Sequence, residues 1–74
     1  MNRRKSPLLD LAAYRKSRGE SQTEFWSRFG VTQSGGSRYE SGRELPAPVA
    51  ILVLAFAEGL LDEAKLEGLR KRAL

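Results

Sequence analysis

Apolar positions along this chain recur at three- and four-residue spacing, and no two-residue alternation survives beyond three or four residues. Helices are therefore expected and strands are not. Leu8, Leu11 and Ala12 open the first run, with Ser6 as a fitting N-cap and Pro7 at the first helical position. That run extends to Arg18, and Gly19 stops it. Ser21 is expected to cap a second helix, because Glu24 three residues on completes a capping box; Phe25, Trp26 and Phe29 form its apolar face. Gly30 ends it. Thr32 caps a third helix running to about Ser41, closed by Gly42. Pro46 and Pro48 can open a fourth, "VAILVLAFAE", which is apolar on nearly every face and ends at Gly59. Such a helix is either the central core element or has one face in an interface. Asp62 caps a fifth, in which Leu66, Leu69 and Ala73 share one stripe. The expected fold is all-α, with five short helices.

Length narrows this further. Seventy-four residues make one domain, here residues 7–74, preceded by a flexible basic arm at residues 1–6. A chain of this size buries only about 60–65% of its unfolded surface and is marginally stable. It has no cysteine and no histidine, so neither a disulfide nor an ordinary zinc site can support it, and no metal or cofactor is expected. Oligomerisation is the remaining support. The run "APVAILVLAFA" falls well short of the roughly 20 residues that cross a bilayer. The basic start lacks a signal-peptide core, so the expected location is the cytoplasm, on a prokaryotic nucleoid or encoded by a phage.

Charge divides the chain unevenly. Residues 1–43 hold nine Lys/Arg against four Asp/Glu, whereas residues 44–74 hold four against five. A basic half beside a neutral, apolar half suggests one face for a polyanion and another for protein contacts.

The second and third helices, joined by "FGV", make a helix-turn-helix unit. At this point the sequence resembles the phage-repressor, or Cro-type, helix-turn-helix proteins. The resemblance covers roughly residues 8–60. It rests on Arg15, Gly19, Ser21-Gln22, the turn Gly30-Val31-Thr32 and "SRYESG", Ser37 to Gly42, in order and at the family's spacing. The resemblance implies that Gln22 grips a phosphate at the start of the second helix, aided by unpaired N–H groups there. Ser21, Thr32, Ser41 and Arg43 are further candidates for phosphate contact. Gln33, Ser34, Ser37 and Arg38 are the candidates for base readout. Glutamine suits the N6/N7 edge of adenine and arginine the O6/N7 edge of guanine. Arg15 and Glu40 occupy positions that form a partly buried ion pair in the family.

Two departures stand out. The position of Trp26 is usually alanine or glycine in the family, and that of Gly36 a branched aliphatic. Trp26 over Gly36 is therefore expected to be a reversed knob and hole with total volume roughly kept. Glu20 stands where an apolar residue is usual, which questions the local packing. Gly35 has no such account, although each glycine inside a helix costs about 1 kcal/mol against alanine.

Without His or Cys, no base–nucleophile pairing is evident and an enzyme is not expected. RNA is a poor fit, because the deep A-form major groove does not admit a recognition helix. The alternative is a small, antitoxin-like helical interaction module without DNA readout. The favoured reading is a sequence-specific DNA-binding regulator: a homodimeric repressor that occupies a palindromic operator on double-stranded DNA. Regulation of its own promoter fits this reading, and a small protein partner stays open. With Val49, Leu52, Val53 and Phe56 turned to the core, Ile51 and Leu54 are left outward. With Leu66 and Leu69 they are the dimer-interface candidates; otherwise the fifth helix folds back over that surface within the monomer.

Overall fold

The computed structural model describes residues 7–74. The arm assigned to residues 1–6, and Ser6 as a cap, lie outside the described residues. Pro7–Leu9 form a single 3-10 turn, followed by five helices: α1 (Leu11–Ser17), α2 (Gln22–Ser27), α3 (Gln33–Glu40), α4 (Ala47–Ala57) and α5 (Glu63–Ala73). No strand occurs among the described residues.

The first helix starts later than Pro7. Asp10 interrupts the run and caps α1, its Oδ1 accepting from the N–H of Ala13 at 3.0 Å. A short carboxylate that can bind the backbone three residues on is a stronger start signal than proline alone. The other starts are local and legible. Ser21 and Glu24 form a reciprocal capping box, and Thr32 and Asp62 accept from Gly35 N and Lys65 N. Such caps matter most for α2, whose six residues are too few to persist alone. Pro46 precedes α4 without a side-chain cap. Gly30, in the turn between α2 and α3, has φ of 77°, a left-handed conformation that glycine adopts without steric cost.

Leu11, Phe25, Trp26, Phe29, Val53, Phe56 and Leu66 form the buried core. All six aromatic residues of the chain join one connected cluster around it. Tyr14 meets Phe25, Phe25 meets Trp26 and Phe29, Trp26 meets Tyr39, and Phe29 meets Phe56, with ring centroids 5.0–5.9 Å apart. Most are edge-on, the favoured geometry for rings carrying a quadrupole. On α4, Val53 and Phe56 are buried while Val49 and Leu52 are half-buried. Helix α5 folds back onto this core through Leu66, which is 3% exposed.

Trp26 and Gly36 meet where α2 crosses α3. A Cβ at Gly36 would overlap Cδ1 and Cγ of the indole and lie 2.6 Å from its Nε1. Trp26 is fully buried, so the ring has no other place to go. At Gly35 the space is tighter than open solvent but less closed. A Cβ there would stand 3.2 Å from Thr32 Oγ1 and 3.3 Å from Val31 Cγ1, crowding the hydroxyl that caps α3.

Candidate nucleic-acid interface

Glu40, at the end of α3, is the centre of the site. Its Oε2 accepts from Arg15 Nε at 2.8 Å and from Trp26 Nε1 at 2.8 Å. Its Oε1 accepts from Arg15 Nη2 at 3.0 Å and from Gln22 Nε2 at 3.1 Å. Arg15 also donates Nη1 to the carbonyl of Glu20, so one guanidinium ties α1 to the loop before α2 and to α3. The pair is well shielded, with side chains 12% and 6% exposed. Burial alone would raise the Glu40 pKa, but hydrogen bonds from Arg15, Trp26 and Gln22 outweigh it and hold the carboxyl at about 2. The same bond raises Arg15 above its ordinary value.

An ionised carboxylate only accepts, so Gln22 must turn its amide NH2 towards Glu40 and its oxygen away. That oxygen accepts from Gln33 Nε2 at 2.7 Å. The polarity set at Glu40 is thus handed from α3 to α2 and back to the first turn of α3. Gln33 is left with a free amide oxygen and one remaining N–H, the pair that matches an adenine edge.

Gln33, Ser34 and Arg38 are exposed on α3 and Ser37 is half-buried, at helical spacing on one side. Gly36, on the other side, is buried. Among the described residues, no hydrogen bond or ion pair ties down the side chains of Ser34, Arg38 or Arg43. Ser41 donates its hydroxyl to the carbonyl of Ser37. The hydroxyls of Ser21 and Thr32 accept cap bonds from Glu24 N and Gly35 N, which leaves each O–H free to donate to an anion. Gln22 is half-buried and keeps one N–H outside its two bonds.

Behind the unit lies a second charged cluster. Arg28 is 7% exposed, yet it sits among core aromatics. It donates Nη1 and Nη2 to the two oxygens of Glu20 at 2.7 and 2.9 Å, and Nε and Nη2 to Glu63 at 3.1 and 2.8 Å. Its guanidinium lies 4.7 Å from the Phe56 ring centroid, and that of Arg18 lies 4.6 Å from the same centroid. Desolvation works against the Arg28 charge, but Glu20 and Glu63 more than offset it and raise its pKa. The Arg28 hydrogen bond lowers Glu20 against the opposing effect of burial. Glu20 thus has a role where an apolar residue is usual: it neutralises a buried arginine. The sequence reading missed this. The available signal was a single arginine between Phe25 and Phe29 on an otherwise apolar face. Arg70 adds a further tie, donating Nη1 to the carbonyl of Ser27 at the end of α2.

The four interface candidates separate. Leu66 is core, because the carboxyl-terminal helix folds inward at that residue, so it cannot take part in a dimer surface. Leu54 is half-buried. Ile51 and Leu69 are 65% and 44% exposed.

Residues 12–54, which span α1 to α4, match the RsaL-like HTH domain family. The chain is similar to a solved structure from work on the regulatory mechanism of the quorum-sensing repressor RsaL in Pseudomonas aeruginosa. The two share 47% identity and superpose with a TM-score of 0.74 over 80% of this chain and 87% of that one. No curated protein matches the chain. The capped α2 and α3, the glycine turn between them and the family match over most of the same residues place this chain in the RsaL-like helix-turn-helix domain family.

Proposed function

We propose that this protein is a sequence-specific DNA-binding transcriptional repressor, with α3 as its recognition helix in the major groove. The observation that carries this is the chain Arg15–Glu40–Gln22–Gln33, which fixes a reading side chain at the start of α3. An interaction module would need no such orientation of an exposed amide. The similarity to a structure concerned with a quorum-sensing repressor supports the same conclusion. Gln33 and Arg38 read bases, Ser34 and Ser37 assist, and Ser21, Gln22, Thr32 and Arg43 hold phosphates, whereas the Ser41 hydroxyl, already donated to the Ser37 carbonyl, does not. The order of these motifs along the chain also supports kinship with the Cro-type repressors.

The protein acts in the cytoplasm by occupying a palindromic operator as a homodimer, and its own promoter is one target. Two half-sites about one helical turn, ~34 Å, apart would suit two recognition helices. The role is regulatory, not catalytic. None of the described helices is long and apolar enough to cross a membrane.

Fluorescence-anisotropy titration of duplex DNA at several salt concentrations tests the central claim. Affinity is expected to fall steeply with salt, as counterion release requires. Arg38→Ala and Gln33→Ala should each lower cognate affinity by about 1–3 kcal/mol and relax one base position, whereas Gln22→Ala, which loses a phosphate contact and the bond that orients Gln33, weakens all sequences and also relaxes the position read by Gln33. Absence of duplex binding at low salt would favour the interaction module.

A further inference from the structure

The indole of Trp26 does more than fill the space over Gly36. Its N–H is buried and must find an acceptor, and the acceptor is the carboxylate that orients Gln22. The terminal torsion of a carboxylate is soft and broad, unlike the staggered torsions of the rest of a side chain. Arg15 alone, approaching from α1, grips both oxygens from one side. Trp26 approaches from α2 and binds Oε2, while Gln22, four residues earlier on the same helix, binds Oε1. Donors from two helices therefore fix the plane of the Glu40 carboxylate. That plane sets where the Gln22 amide stands, and the Gln22 oxygen sets Gln33.

We propose that Trp26 is a positioning residue for base readout, its indole N–H fixing the Glu40 carboxylate so that Gln22 holds Gln33 in the orientation that reads adenine. This rests on Gln33 being a base contact. The path from the core to the DNA-facing surface is thus a chain of hydrogen bonds, indole to carboxylate to amide to amide. In it a buried aromatic residue that never touches DNA contributes to specificity. Volume complementarity with Gly36 keeps the ring in place, so one side chain serves both packing and polarity.

The test replaces Trp26 by the non-natural tryptophan isostere in which sulfur stands for the indole N–H, leaving ring shape nearly unchanged. Trp26→Phe serves as a second variant, and circular dichroism checks folding of both. Binding sites are selected from random DNA, and affinity is measured on the cognate and on a scrambled duplex. The expected result is a cognate-over-scrambled ratio reduced about five- to tenfold, the effect of one lost hydrogen bond. The loss should be confined to the position read by Gln33. Adding Gln22→Ala to the isostere should then cost no more specificity than Gln22→Ala alone, because both cut the same chain. An unchanged ratio in the folded isostere overturns the proposal, and so does a loss spread equally over cognate and scrambled DNA. Gln33→Ala is run in parallel. If it relaxes one base position while the isostere does not, the role of Trp26 fails alone. If Gln33→Ala leaves base preference intact, the reading of α3 fails and takes this role with it.

Discussion

Trp26 occupies the volume that any side chain at Gly36 would need, and its Nε1 reaches past that glycine to Glu40 at 2.8 Å. Packing and polarity at this crossing cannot be changed separately. Gly36→Ala should therefore destabilise the domain by about 1–3 kcal/mol through overpacking, despite the better helix propensity of alanine. Trp26→Ala should cost roughly 3–5 kcal/mol, enough to unfold most molecules of a marginal domain. Trp26→Ala combined with Gly36→Ile should recover the lost volume but not the hydrogen bond to Glu40. Thermal melts of these variants, with Gly36→Ile alone added, check this, and a harmless Gly36→Ile on the wild-type background would contradict the contact.

Arg28 is a buried charge whose partners lie on different elements, Glu20 before α2 and Glu63 at the start of α5. Arg28→Ala removes the buried cation and leaves Glu20 with only its longer, more exposed contact to Arg18 at 3.3 Å. A loss of about 3–5 kcal/mol is expected, as for a broken buried pair. Arg28→Lys should not rescue it, because a single ammonium cannot make the forked contacts of the guanidinium. Glu20→Leu together with Arg28→Leu should come much closer to wild-type stability, since an apolar pair needs no compensation. Urea unfolding distinguishes these outcomes.

Acid should destabilise the protein through Glu40. Its ordinary pKa of 4.5 falls to about 2 in the fold, so folding favours the ionised form. The stabilisation is full above about pH 5, and it is lost as pH falls from about 4.5 towards 2. It amounts to something on the order of 3 kcal/mol. Glu20, also lowered, acts in the same direction. Urea unfolding between pH 7 and pH 3 should show a shallower acid decline for Glu40→Gln than for wild type, from a lower starting stability at pH 7.

Ile51 and Leu69 remain exposed after the fifth helix has folded back, on α4 and α5 rather than on the α2–α3 unit. If they form the surface joining two copies, Ile51→Glu should give a folded monomer with much weaker binding to a two-half-site operator. Binding to a single half-site should be nearly unchanged. Sedimentation equilibrium and anisotropy on the two duplexes measure these effects. Equal operator affinity for wild type and Ile51→Glu would remove the residue from the interface.

Most helix limits were legible because their causes are local. Ser21 with Glu24, Thr32, and Asp62 each bond the backbone three residues on, and such contacts can be read from spacing alone. The start of α1 escaped because the expectation followed Ser6-Pro7 and did not consider Asp10, whose carboxylate accepts from Ala13 N and caps the helix. The pairing of large Trp26 with small Gly36 was also visible, as two departures that conserve volume. Tertiary structure decided what depends on distant residues sharing one place. Arg28 and Glu63 are 35 positions apart and Arg15 and Glu40 25 apart, so their bonds exist only once the helices have packed. Leu66 and Leu69 are equivalent in the amphipathic stripe, and only the docking angle of α5 buries one and exposes the other. The amide polarity of Gln22 and Gln33 follows from a carboxylate that the fold places beside them, because an amide has no preferred direction until an acceptor-only group supplies one.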